Sequence, residues 1–137
     1  MRVVIDTNVW LSGLMLPVSV PGHIVRAASM AQITVVLSEP LLQELRLTLH
    51  YRRIRARIAL SDEELERFLA ELRYVVEMVD ISGARVEVPR DRDDDMVLAT
   101  YLASGADFLL TGDEDLVSLR PDYSILTARE FYDQHLL

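Results

Sequence analysis

Short runs of β-branched and other apolar residues alternate along this chain with longer segments that have the periodicity of amphipathic helices. The apolar runs lie at 3–5, 33–37, 75–79, 108–111 and 124–126, and each is short enough for one buried strand. The clearest helix follows Ser61, which begins a capping box with Glu64 ahead of a periodic apolar stripe. Strands that alternate with helices form a parallel sheet covered on both faces. We therefore predict a three-layer α/β/α fold with a central parallel sheet of about five strands.

The size and composition of the chain are those of one ordinary domain. Its 137 residues are half hydrophobic, with no internal repeat or linker, so we expect residues 1–137 to form a single domain. The absence of cysteine excludes thiol nucleophiles and zinc–thiolate sites. The first apolar run is interrupted at Asp6, and no stretch is long enough to span a membrane. We expect a soluble, cytoplasmic protein.

Acidic side chains occur where the predicted strands end. Asp6 directly follows the first strand, and Asp113 follows the fourth. Ligand sites in open α/β sheets form at the carboxyl ends of the strands. A third candidate is Asp94 or its neighbour Asp95, at the start of a helix after a predicted polar loop at 90–94. A fourth is Glu44, which lies beside the leucine stripe of the helix that follows the second strand.

Carboxylates collected at one edge of a sheet are typical of a site for a hard divalent cation. Mg²⁺ and Mn²⁺ prefer oxygen ligands, and a bound cation converts the mutual repulsion of the carboxylates into attraction. Each acid also has a purely structural interpretation, since an aspartate can cap a helix or turn and a helical glutamate can face solvent. Their joint placement, and not any single residue, indicates a site.

The order of four sequence segments makes this interpretation more specific. The segments are Val4-Ile5-Asp6-Thr7-Asn8, SEPLLQEL at 38–45, DRDDD at 91–95 and GADFLLTGD at 105–113. Together they resemble the PIN-domain family, and within it the VapC-like toxins of toxin–antitoxin pairs. The resemblance covers nearly the whole chain, and its last segment, which continues to Asp115, is the most distinctive.

The resemblance implies a set of site residues and an activity. The activity is that of a Mg²⁺- or Mn²⁺-dependent endoribonuclease, in which a metal-activated water hydrolyses an RNA phosphodiester bond. The implied partners are an RNA substrate, a cognate antitoxin protein and a second copy of the chain in a homodimer. Asp94 is favoured over Asp95 as a ligand, while Asp115 either replaces or assists Asp113. The implied catalytic acids are Asp6, Glu44, Asp94 and Asp113; the metal ligands are drawn from Asp6, Asp94, Asp95, Asp113 and Asp115; the supporting groups are Thr7, Asn8 and Thr111.

Two other classes of function share parts of this pattern. A Mg²⁺-dependent phosphatase or receiver-like domain also has an aspartate at a strand end, but both usually need a lysine nearby. This chain contains no lysine, and Asp6-Thr7-Asn8 lacks the second aspartate of a phosphatase motif. A PIN fold that has lost catalysis and survives as a binding module remains the non-enzymatic alternative.

The distribution of charge bears on nucleic-acid binding more than the net charge does. A formal charge of −8 is unlike that of most nucleic-acid-binding proteins. Between residues 46 and 57, however, there are five arginines and no acid. We predict that this segment guides an RNA backbone towards the acids, while the Tyr51 ring could stack on a base. The structural alternative is pairing with Glu63, Glu64 and Glu66 of the next helix. The predicted RNA-binding residues are Arg52, Arg53, Arg55 and Arg57.

Overall fold

A single parallel sheet of five strands organises the protein. The computed structural model describes residues 1–83 and 92–137, with the backbone alone at 92–95. The strand order is β3-β2-β1-β4-β5, and all neighbouring pairs in it are parallel. The predicted α/β/α fold is confirmed. The strands are β1 (Arg2–Ile5), β2 (Thr34–Leu37), β3 (Val76–Met78), β4 (Phe108–Leu110) and β5 (Ile125–Leu126).

Helices connect the strands and flank the sheet. The capping box of Ser61 and Glu64 is present at the start of α5 as predicted, and Gly105 adopts a left-handed φ of 63° just after α6. The prediction of a loop at 90–94 is wrong for its last residues, because α6 already begins at Arg92. The helices are α1 (Thr7–Met15), α2 (Val20–Ser29), α3 (Glu39–Leu49), α4 (Arg52–Arg55), α5 (Asp62–Val75), α6 (Arg92–Ser104), α7 (Glu114–Val117) and α8 (Ala128–Phe131), followed by a π-helical turn over Tyr132–Leu136.

The central strand β1 sets the geometry of the sheet. Val3, Val4 and Ile5 are fully buried, as expected for a strand covered by helices on both faces. Ile5 is in register with Leu110 of β4, so these two strands end side by side. The residues that follow them, Asp6 and Thr111, therefore leave the sheet at the same edge.

The direction of the strand connections distributes the helices over both faces. The chain moves outward from β1 to β2 and β3, and then returns past β1 to β4. Because crossovers between parallel strands are right-handed, this reversal places α6 on the face opposite α1 to α5. Helix α6 packs against β1, β2 and β4. No helix in the described part of the chain is long and apolar enough to cross a bilayer.

The last helices close the side of the sheet formed by β4 and β5. Phe131 at the end of α8 is fully buried, and its ring meets that of Phe108 edge-on at a centroid distance of 6.2 Å. His135 of the π-helical turn lies 5.1 Å from the centroid of each of these rings. The apolar C-terminal segment thus packs on β4 within the same chain.

Candidate active site

Asp6 and Thr111 join the ends of the two central strands. The Asp6 backbone N–H donates to the Leu110 carbonyl at 2.9 Å and continues the ladder one residue beyond the strands. The Thr111 hydroxyl then donates to Oδ2 of Asp6 at 2.7 Å. Asp6 is 5% exposed and Thr111 is fully buried, so the hydroxyl holds a nearly buried carboxylate in a fixed orientation.

The same hydroxyl of Thr111 also positions Asp113. Its oxygen accepts a hydrogen bond from the Asp113 backbone N–H at 3.0 Å. Oδ1 of Asp113 accepts from the Asp115 backbone N–H at 2.8 Å, which caps the short helix α7. One buried threonine therefore fixes two of the predicted acids relative to each other, and Asp113 has a structural role besides any catalytic one.

Asp6 does not behave as an ordinary helix cap. It occupies the N-cap position of α1 in an extended conformation, but its side chain makes no capping hydrogen bond. An N-cap aspartate normally accepts from the helix N–H groups. Capping therefore does not explain why an acid is buried at this position, whereas the hydrogen bond from Thr111 keeps its carboxylate at the edge of the sheet.

Glu44 reaches the same region from α3. It is half-buried, and its Oε2 accepts a hydrogen bond from the Thr7 hydroxyl at 3.0 Å. Thr7 is the residue after Asp6 and is itself buried. Glu44 is therefore not simply a solvated residue on the surface of a helix, because its carboxylate links α3 to the start of α1.

A single open cleft collects these side chains. Its volume is about 540 Å³, and the residues lining it include Asp6, Thr7, Asn8, Glu44, Tyr51 and Asp113. Three of the four predicted catalytic acids thus come from three separate elements to one surface at the carboxyl edge of the sheet.

The fourth predicted acid lies at the start of α6. Asp94 and Asp95 are helical in backbone, but their side chains lie outside the described part of the structure. Met96, one residue further along, lines the same cleft. The first turn of α6 therefore borders the surface that carries Asp6 and Glu44. Asp91, in the segment that resembles the PIN family, also lies outside the described residues.

A buried pair of hydroxyls fastens α6 to the end of β2. Ser38, directly after β2, and Thr100 on α6 are both fully buried, with their oxygens 2.8 Å apart. Thr100 also donates to the Met96 carbonyl at 2.7 Å, so Ser38 must donate to Thr100. The sequence analysis did not predict this hydrogen bond. Its only signal in the sequence is a hydroxyl side chain at two positions where the surrounding pattern predicts a buried apolar residue.

The donor set suits a hard cation, although the described side chains do not complete a metal site. The carboxylates of the cleft offer only oxygen, as Mg²⁺ and Mn²⁺ require. Within residues 1–83 and 96–137, no three acidic or histidine side chains lie close enough together to hold a metal ion. A site with three protein ligands would therefore need a further one, and the predicted ligands are on the first turn of α6.

The arginine-rich segment separates into two groups. Arg46 and His50 both contact the Glu66 carboxylate, at 2.8 and 3.1 Å, so the structural alternative of pairing with the next helix applies to them. Arg55 is also engaged, and its guanidinium bonds to Asp62 at 2.7 Å and to the Leu60 carbonyl at 2.7 Å.

The remaining cations of this segment face solvent. Arg52, Arg53 and Arg57 are exposed, and they make no ion pair with any residue in the described ranges. Arg52 and Arg53 lie on α4, which begins directly after Tyr51 at the rim of the cleft. These three arginines are the better candidates for contact with a polyanion, and Arg55 is the weakest of the four predicted residues.

Comparison with known proteins identifies the family. The profile of the PIN domain matches residues 2–115, and the chain therefore belongs to the PIN-domain family. PIN domains are generally nucleases and usually use divalent metal ions.

Two individual proteins are similar to this chain. An uncharacterized protein from Methanocaldococcus jannaschii is 29% identical over 131 residues, which are 96% of this chain and 83% of that protein. A crystal structure of VapBC2 from Rickettsia felis, bound to a DNA fragment from the promoter, contains a chain with the same fold. It superposes with a TM-score of 0.58 at 14% identity, covering 93% of this chain and 98% of that one.

Proposed function

We propose that this protein is a metal-dependent endoribonuclease and the toxin component of a toxin–antitoxin pair. The observation that carries the proposal is the convergence of Asp6, Glu44 and Asp113, from three separate elements, on one open cleft at the carboxyl edge of the sheet. The PIN family supports a nuclease, and the all-oxygen donor set supports Mg²⁺ or Mn²⁺ as the cofactor.

The residues have distinct proposed roles. Asp6, Asp94 and Asp113 hold the metal, with Asp95 and Asp115 as accessory ligands and Glu44 as the fourth catalytic acid. Thr111 orients Asp6 and Asp113 through the two hydrogen bonds described above. Thr7 orients Glu44, and Asn8 offers an exposed amide to the substrate at the rim of the cleft. A bound divalent ion would supply an activated water and offset the charge that develops on the phosphodiester.

The arginines support a nucleic-acid substrate in this proposal, and the choice of RNA follows from the resemblance to the VapC-like toxins. An acidic cleft repels a nucleic acid unless cations beside it hold the backbone, and Arg52, Arg53 and Arg57 are exposed next to its Tyr51 rim. Arg55 belongs to the predicted RNA-binding set, but its contacts with Asp62 and the Leu60 carbonyl give it mainly the role of fixing the loop.

A cleavage assay with matched variants tests the nuclease. We expect an RNA oligonucleotide to be cut in Mn²⁺ or Mg²⁺ and left intact in EDTA. Asp6→Asn should abolish cleavage while the circular-dichroism spectrum is retained. The control is Asp107→Asn, because Asp107 is exposed at the opposite end of β4 and accepts a hydrogen bond from the Arg2 backbone N–H that asparagine can also accept. Cleavage by Asp6→Asn at the wild-type rate would refute the site, and RNA binding without cleavage in any metal would favour the inactive binding module.

We also propose a cytoplasmic location, whereas the toxin role and the partner protein are tested separately. The solved structure with the same fold is a VapBC2 complex, and we extend the presence of an antitoxin to this protein as a proposal. We expect the product of the neighbouring open reading frame to co-purify with the chain and to inhibit cleavage, and size-exclusion chromatography of the chain alone to show a dimer. Absence of any partner would contradict the toxin role and leave the nuclease standing.

A further inference from the structure

We propose that Tyr51, together with Leu47, forms a stacking subsite for an unpaired nucleobase of the RNA substrate. This inference rests on the proposed ribonuclease function and adds the side chains that would contact a base of the substrate. It concerns the end of α3 and the start of α4, which border the acidic cleft.

The two side chains form an apolar surface on the wall of the cleft. Leu47 and Tyr51 both line it, four residues apart, together with Asp6 and Glu44. Tyr51 is 61% exposed and Leu47 is 63% exposed, so both side chains are open to a ligand in the cleft. Exposed aromatic rings next to a phosphate-binding region are typical platforms for base stacking.

The backbone of Tyr51 is fixed although its ring is open to solvent. Its N–H donates to the Thr48 carbonyl at 3.1 Å, and its carbonyl accepts from Arg55 N–H at 2.8 Å. Arg55 is itself held by Asp62. Because the backbone is ordered before a ligand arrives, stacking on the ring costs little additional conformational entropy.

The charges on the two sides of Tyr51 favour one path for the backbone of a bound strand. Glu44 lies one helical turn before Thr48, on the acidic side, whereas Arg52 and Arg53 follow directly on the other side. Phosphates of a bound strand therefore lie against the arginines, and the base at the boundary lies on Tyr51. The next phosphate is then directed towards the carboxylates of the cleft.

Stacking on a side chain requires a base that has left its own helix. Both faces of a base inside a duplex are covered by its neighbours, so a tyrosine ring can reach only an unpaired base in a single strand, loop or bulge. The platform thus predicts that a single-stranded oligonucleotide binds more tightly than a duplex of the same length.

Binding is measured in the Asp6→Asn background with Mg²⁺, so that the RNA is not cut. We expect Tyr51→Ala to weaken binding of a single-stranded RNA by roughly 5- to 150-fold, the effect of losing one base–aromatic stack. Tyr51→Phe keeps the ring and should bind within about twofold of the parent. The matched control is Tyr74→Ala, because Tyr74 is 90% exposed on α5 and does not line the cleft.

A substrate with one abasic position identifies the contact as stacking. We expect one such substitution to weaken binding to the parent, and to have no further effect on Tyr51→Ala, because both changes remove the same contact. The inference is overturned if Tyr51→Ala binds like the parent, if Tyr51→Phe loses as much as Tyr51→Ala, or if duplex RNA binds as tightly as single-stranded RNA. Ring-dependent binding by a wild-type protein that cuts nothing would support the subsite and overturn only the nuclease.

Discussion

Thr111 is the residue at which the proposed site and the stability of the fold can be tested together. Its buried hydroxyl donates to the Asp6 carboxylate and accepts from the Asp113 backbone N–H. Thr111→Val keeps the shape of the side chain and removes both bonds. A hydrogen bond to a charged group contributes about 1.5–3 kcal/mol, and an unsatisfied buried N–H costs about 1–3 kcal/mol.

The added methyl group of valine offsets part of this loss, since burying it stabilises the folded state by about 1 kcal/mol. We therefore expect Thr111→Val to lower the free energy of unfolding by roughly 1.5–5 kcal/mol. Cleavage should fall by about 10- to 100-fold, because small displacements of catalytic groups are costly. Urea denaturation followed by circular dichroism measures the first quantity, and single-turnover kinetics on RNA measure the second.

Two companion variants show whether the hydroxyl itself is responsible. Thr111→Ser retains both hydrogen bonds and loses one methyl group, so it should recover most of the stability and activity. Thr34→Val, at an exposed threonine on β2, should change the stability by less than about 0.5 kcal/mol. If Thr111→Val is as stable as wild type, or if Thr111→Ser is equally damaged, the assigned role of the hydroxyl is wrong.

Three further predictions concern the surface and the core. Arg55→Ala should lower the free energy of unfolding by about 1–3 kcal/mol, since it removes the hydrogen bonds to Asp62 and the loop carbonyls. Arg53→Ala should leave the stability unchanged and weaken RNA binding. Equal effects of the two variants on stability would contradict the different roles assigned to the two arginines. The hydrogen bond from Arg46 lowers the pKa of Glu66 below its usual 4.5, so the pair stabilises the fold above that pH and ceases to do so as pH falls through the folded-state pKa. The stability difference between wild type and Glu66→Gln, followed by urea denaturation at falling pH, should therefore vanish in acid, and a constant difference would exclude an ionic origin. Phe131→Ala should destabilise by about 3–5 kcal/mol in the same assay because the side chain is fully buried, and a loss below about 1 kcal/mol would show that the C-terminal helices are not part of the core.

The order of strands and helices could be predicted because each depends on local patterns. The apolar run at 3–5 predicts a strand, and the capping box at Ser61 predicts the start of a helix. The structure has both elements as expected. The first turn of α6 is harder to predict, because an aspartate-rich segment is typical of both a loop and the start of a helix. Arg92 to Asp94 were therefore assigned to a loop, although they are helical.

The placement of the acids followed from topology, but the contacts that orient them did not. Asp6 and Asp113 were expected at one edge because parallel strands end together. The resemblance implies a supporting role for Thr111, but the sequence does not indicate that its hydroxyl contacts both acids, or that Ser38 meets Thr100 across 62 positions of the chain. Likewise, five arginines in one segment look equivalent in sequence. Only tertiary contacts distinguish Arg55, which fixes a loop, from Arg53, which faces solvent.

The bond between Thr111 and Asp6 joins residues 105 positions apart. Contacts of such long range form late in folding, because closing the intervening chain costs entropy before any native contact can compensate. Strand β1 can pair with β2 while its other edge still awaits β4. A nascent chain that has not yet added β4 therefore has Asp6 without the residues that complete its surroundings, so the proposed active site could be assembled only after β4 has been synthesised.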